Sequence, residues 1–194
     1  MAVKAQTPGR RTVLVVGDSM SAEYGLRRGS GWVALLAQKV SSEAPRFEVQ
    51  NASISGDTTS GGRSRLPALL NQHKPQVVVI ELGGNDALRG LPLKMTEDNL
   101  TQMVQASQAV GAKVLLVGMQ VPPNYGAAYS EDFSRTFARV ATAQKTALVP
   151  FLLKGVADGP DAMRLFQADR IHPTEAAQAQ MLANVWPELK RLLK

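Results

Sequence analysis

The chain has 194 residues, 44% of them hydrophobic and 20% charged, a composition that fits one globular domain around a single core. No apolar run approaches the roughly 20 residues of a membrane helix, which excludes an integral membrane segment, and the absence of cysteine excludes disulfides, thiolate chemistry and cysteine zinc sites. The 22 lysines and arginines against 16 acids could attract anionic substrates, but they are spread along the chain without the clustering or aromatic interleaving of a nucleic-acid binder.

Residues 1–11 carry no apolar h-region, so no signal peptide is expected in this chain, and they read as a flexible N-terminal segment ahead of a single domain over 12–194. The first apolar run, 13–17, is short and β-branched, as suits a strand buried on both faces. It ends in "GDSM", which places Ser19 between this strand and a predicted helix. There its hydroxyl is either a nucleophile beside free backbone N–H groups at a positive dipole end or an N-cap. Asp18 reads as a structural hydrogen-bonding partner of the loops.

A helical period over 31–41 leads to a second strand at 47–51 and then to "NASISGDTT". Gly56 either lets a substrate oxygen approach its backbone N–H or permits a turn, while Asp57 and Thr58 have helix-start chemistry. A helix over 62–72 ends at His73, a residue type common at helix C-termini. The third strand, 77–82, runs into "GGND", where the Asn85 amide is an oxyanion donor or a turn residue.

Next come a helix over 96–110, a strand at 114–119, "VPPNYG", a helix over 130–145 and a strand at 147–152. The segment "ADRIHP" follows, with Asp169 three residues before His172. This spacing lets the carboxylate fold back onto the imidazole and hold one tautomer, or lets Asp169 cap the last helix, 173–193. With two distant histidines and no cysteine, a metal site is short of ligands, and none is expected.

Strands alternating with helices predict a three-layer α/β/α sandwich on a parallel sheet, with the site outside the carboxyl ends of the strands. Ser19, Gly56, Asn85 and the Asp169–His172 unit then share one face. Together they supply nucleophile, auxiliary oxyanion donors, base and orienter. A carbohydrate O-acetyl esterase would use the same groups, and a noncatalytic binding module is the alternative outside enzymology. The first loop lacks G-x-G-x-x-G and G-x-x-x-x-G-K-[ST], which sets a nucleotide binder aside, and no G-x-S-x-G elbow is present.

These blocks resemble the SGNH or GDSL hydrolases, whose four letters fall here on Ser19, Gly56, Asn85 and His172. "NASISGDT", "RLPALL", "ELGGND", "LRG", "PPNYG" and "IHP" are similar to the bacterial multifunctional acyl-CoA thioesterase, arylesterase and lysophospholipase branch. The resemblance runs from about Thr12 to Leu193. It implies a flavodoxin-like five-stranded parallel sheet, no cofactor, small acyl ester or thioester substrates, and export to the periplasm; a monomer is expected because nothing in the sequence suggests a coiled-coil or obligate interface. It also implies a Ser19–His172–Asp169 triad and an oxyanion hole from the Ser19 and Gly56 backbone N–H groups with the Asn85 amide. Leu88, Leu91, Pro123 and Tyr125 are expected to contact substrate. Met20 stands where the family usually has leucine, and Glu23 where many relatives have a small residue, which would alter the rim of the pocket.

Overall fold

Val13 to Val16 are inaccessible to solvent within β1 (Arg11–Gly17), and all of β3 (Val77–Glu81) is buried beside it, as strands covered on both faces must be. The structure is a computed structural model that describes residues 9–160 and 162–194, apart from the side chain of Pro123. Of the expected flexible segment, residues 1–8 lie outside that description, and Arg11 already pairs in the sheet.

The sheet has five parallel strands in the order β2-β1-β3-β4-β5, with β2 at Phe47–Asn51, β4 at Lys113–Val117 and β5 at Ala147–Val149. Val13 pairs with Val49 on one side and Val77 on the other, so β1 and β3 form the centre. This is the flavodoxin-like order, which reverses direction between β1 and β3 and opens a crevice there.

On one face α1 (Trp32–Glu43) packs on α6 (Gln178–Leu192), and on the other α2 (Thr59–His73) packs on α4 (Leu93–Ala109), which packs on α5 (Ala127–Ala143). Trp32, Leu36 and Val40 line the buried stripe of α1 against Met181, Val185 and Leu189 of α6. A further one-turn helix, α3 (Gly84–Leu88), follows β3. Helix α5 starts at Ala127, behind Gly126 at φ 89°, and carries an aromatic ladder at i, i+4 spacing. Tyr125 stacks at 6.2 Å on Tyr129, which stacks at 6.4 Å on Phe133, and Phe133 meets Phe137 edge-on at 5.4 Å. The ladder ends under the turn that follows β3.

Candidate active site

No helix begins at Ser19. Residues 19–25 form successive turns and α1 starts only at Trp32, so neither the helix-dipole expectation nor the N-cap alternative applies to this serine. The loop is held instead by carboxylates. Asp18 Oδ1 accepts from the Met20 N–H at 3.0 Å, and the Asp18 carbonyl accepts from Ser21 and Ala22. Glu23, in the left-handed region at φ 61°, accepts from the Gly29 N–H (2.9 and 3.0 Å) and the Gly31 N–H (2.8 Å). Glu23 therefore ties the loop to the start of α1, and it does not line the pocket as the sequence suggested.

His172 approaches Ser19 from the segment between β5 and α6. Its Nε2 lies 2.8 Å from Ser19 Oγ and its Nδ1 lies 2.7 Å from Asp169 Oδ2. Asp169 Oδ1 meanwhile accepts from the backbone N–H groups of Ile171 (2.9 Å) and His172 (3.0 Å). Partial burial pushes the Asp169 carboxyl up, but those two N–H groups and the imidazole outweigh it and bring its pKa down to about 2. An ionised carboxylate only accepts, so Nδ1 must donate to it, which leaves Nε2 to accept the serine proton. The helix-cap alternative for Asp169 does not apply, since α6 begins at Gln178 after a single 3-10 turn at Glu175–Ala177.

Gly56 occupies the third position of the turn from Ile54 to Asp57, closed by an Asp57 N–H to Ile54 carbonyl bond of 3.1 Å. Its φ of 79° is the value a type II turn demands there. Thr58 caps α2 through Gly61, as helix-start chemistry suggested. Neither the Ser19 nor the Gly56 N–H donates to an acceptor among the described residues. Asn85 differs: its amide donates to Asp18 Oδ2 and to the Asp57 carbonyl, each at 2.9 Å. Two oxyanion donors are therefore free and the third is engaged.

The turn that delivers Asn85 needs a glycine, because Gly83 has φ 121° and an added Cβ would sit 3.1 Å from Phe137 Cζ. Asp86, fully buried, fastens α3 by accepting from the Thr59 N–H at 2.8 Å, the Thr59 hydroxyl, and the Thr96 hydroxyl at 3.3 Å. Arg65, not singled out in the sequence, joins the loops after β1 and β2. It bonds Asp57 at 2.8 Å, the Ala52 carbonyl, and the Gly17 carbonyl at 3.3 Å.

Below the nucleophile lie two buried carboxyls. Burial pushes Asp18 up to about 6, against the pull of the Met20 N–H and the Asn85 amide. Glu81, at the end of β3, is raised well above the usual carboxylate range, first by burial and then by the negative charge of Asp18. Its Oε2 accepts from the Ser21 hydroxyl at 2.7 Å, and its Oε1 has no partner among the described residues.

Ser19 and His172 open into a cavity of about 250 Å³, walled by Met20, Tyr24, Leu88, Met119 and Ile171 with Gly56 and Asn85 at its base. Of the four residues expected to contact substrate, Leu88 lines it, Leu91 and Tyr125 do not, and the side chain of Pro123 lies outside the description. Tyr125 is occupied by its stack on Tyr129. Tyr24, missed in the sequence, sets its ring 4.4 Å from the His172 ring. A larger cavity, about 610 Å³, lies at the opposite end of the strands among Pro67, Leu70, Lys74, Gln76 and Val110, and brings together no nucleophile and base.

Residues 15–180 match the GDSL-like Lipase/Acylhydrolase family. The chain is 55% identical over 188 residues to Esterase TesA of Pseudomonas aeruginosa, spanning 97% of this chain and 92% of that protein. It is 44% identical over 167 residues to Thioesterase 1/protease 1/lysophospholipase L1 of Escherichia coli K12, spanning 86% and 77% respectively. A crystal structure of TesA superposes with a TM-score of 0.90 at 55% identity, over 94% of this chain and 99% of that one.

Proposed function

The chain belongs to the GDSL-like lipase/acylhydrolase family, and we propose that this esterase cleaves carboxylic esters and thioesters, among them aryl esters, acyl-CoA and lysophospholipids, through an acyl-enzyme on Ser19. The observation that carries the reading is the unbroken relay from Asp169 through His172 to Ser19, at 2.7 and 2.8 Å, facing an apolar-walled cavity.

In the first step His172 Nε2 takes the Ser19 proton as Oγ adds to the acyl carbonyl. The carbonyl oxygen becomes an oxyanion held by the Ser19 and Gly56 N–H groups, with Asn85 as third donor. The imidazolium returns its proton to the departing alkoxide or thiolate, leaving the acyl group on Ser19. Water then loses a proton to His172, adds to the acyl carbonyl, and the tetrahedral species collapses to the free acid and Ser19. Met20, Leu88, Met119 and Ile171 offer the acyl chain apolar contacts, and among the described residues, beyond the catalytic groups and Asp18, only Tyr24 and Ser55 bring polar side chains to the lining, which favours alkyl acyl groups over acetylated carbohydrate.

The test is intact mass after a fluorophosphonate probe, for wild type and Ser19→Ala, beside turnover of p-nitrophenyl esters of rising chain length and of an acyl-CoA. One label lost in the variant, with activity on medium chains and on the thioester, is expected. A folded wild type that takes no label refutes the serine mechanism, and activity confined to acetyl esters moves the substrate to O-acetyl groups. Periplasmic location, on the strength of the family resemblance, and a monomeric state, on the sequence pattern, belong to the same proposal and are checked by cell fractionation and by size exclusion with light scattering.

A further inference from the structure

Six large apolar side chains are exposed among the described residues, and four of them ring the mouth of the Ser19 cavity. Tyr24 (50% exposed), Leu88 (46%) and Ile171 (41%) wall the opening, and Ile54 (53%) stands on the same turn as the lining residues Ser55 and Gly56. Single exposed apolar residues need no explanation, but a cluster around a site entrance is the pattern of a surface that meets another apolar phase.

Charges of both signs surround this ring. The carboxylates on the surrounding loops are engaged within the protein: Asp18 with the Met20 N–H and the Asn85 amide, Asp169 with His172, Asp57 with Arg65, Glu23 with the N–H groups of Gly29 and Gly31, and Glu175 with Arg27, so that only Asp57 and Glu175 are matched by an arginine. Two arginines are not so matched. Arg89 donates to the Gly56 carbonyl at 2.8 Å, and Arg170 stands exposed between Asp169 and Ile171 at φ 58°. Neither forms an ion pair among the described residues. The mouth is therefore apolar with two exposed, unpaired arginines at its edge, on a chain of net charge +6.

Resting on the ester-hydrolase reading above, we propose that this rim docks the mouth of the site onto an anionic lipid surface, with Tyr24, Ile54, Leu88 and Ile171 entering the headgroup boundary and Arg89 and Arg170 meeting lipid phosphates. A single-chain lipid at such a surface could then pass its ester into the cavity without crossing bulk water. Apolar insertion combined with a few basic contacts gives reversible binding that weakens with salt.

The test uses the Ser19→Ala chain, so that binding is read without turnover, sedimented with vesicles of dioleoylphosphatidylglycerol or of dioleoylphosphatidylcholine at low and high salt. The expected result is pelleting with the anionic vesicles, little with the neutral ones, and release by salt. Adding Arg170→Gln should lower the partition about fivefold, the share of one basic residue near such a surface, and Ile54→Glu should lower it by at least about as much. Neither residue lines the cavity, so in the otherwise wild-type chain each variant should hydrolyse soluble p-nitrophenyl butyrate at the unaltered rate. Equal pelleting with both lipids, pelleting with neither, or partition unmoved by both substitutions overturns the proposal. A wild type that hydrolyses no soluble ester while Ser19→Ala still pellets with anionic vesicles refutes the ester reading and leaves the docking surface standing.

Discussion

Asp18→Asn tests the electrostatics beneath the nucleophile. In the folded protein Asp18 holds its proton up to about pH 6, whereas the ordinary value for the group is 3.8. Between those limits the native state binds a proton that the unfolded chain has released, so this residue makes stability fall as pH rises through that window. At about 1.36 kcal/mol per pH unit, the interval amounts to roughly 3 kcal/mol. Glu81 is raised in the same direction, first by burial and then by the charge of Asp18, so removing that charge also eases the ionisation of Glu81.

Asparagine cannot titrate, and it fits the space. Its oxygen can still accept from the Met20 N–H, but its NH2 then faces the Asn85 amide where Asp18 Oδ2 now accepts at 2.9 Å. That donor pair costs about 1–3 kcal/mol at every pH. Urea unfolding of both proteins from pH 4 to pH 7 should therefore show the variant less stable at pH 4 and its deficit shrinking by about 2 kcal/mol on the way to pH 7, since at pH 4 the unfolded group is already partly ionised. A difference between the two proteins that stays constant with pH refutes a proton-holding Asp18.

Asn85→Ala should lower kcat by about 10²- to 10³-fold, the usual cost of one oxyanion donor, with circular dichroism unchanged; a loss below about tenfold removes Asn85 from the mechanism. Asp169→Asn should cost about 10³- to 10⁴-fold in kcat, since the amide no longer fixes the imidazole tautomer; activity near wild type would dismiss the relay. With its carboxyl held down to about 2, Asp169 contributes stability that is fully present above the ordinary value of 3.8 and lost only as pH falls through about 2. A urea midpoint that Asp169→Asn shifts equally at pH 5 and at pH 2 contradicts that assignment. Phe133→Ala, removing a fully buried ring from the middle of the α5 ladder, should cost about 3–5 kcal/mol in equilibrium unfolding.

The strands and long helices were legible because period alone identifies them. The run at Phe47–Asn51 coincides with β2, and the helix expected over 62–72 lies within α2. Errors gathered where structure is set by contacts between distant residues. The span from Ser19 to Gly31 has no period to read, because Glu23 folds it from the far side by taking the Gly29 and Gly31 N–H groups. Helix α3 is too short for a periodic signal. Leu91 and Tyr125 sit in loops of the right composition, but Tyr125 is claimed by the aromatic ladder, while Tyr24, Met119 and Ile171 reach the cavity from three separate segments.

The same distinction separates the parts of the site. The Asp169–His172 unit is local, four residues on one turn in which the Ile171 and His172 N–H groups orient the carboxylate, and its spacing announced it. The oxyanion donors are not local: Asn85 is aimed by Asp18 from β1 and by the Asp57 carbonyl from the loop after β2. Since both amide hydrogens are already in use, an oxyanion at Ser19 must share or displace the bond to Asp18 or the bond to the Asp57 carbonyl. Protonated, Asp18 is a weaker acceptor than a carboxylate and releases the amide more readily; ionised and buried, it holds the amide more tightly, because no water takes the donor's place. The asparagine is therefore held in place before substrate arrives by a partner whose protonation sets how readily it gives way, which links the buried acid beneath the nucleophile to the chemistry above it.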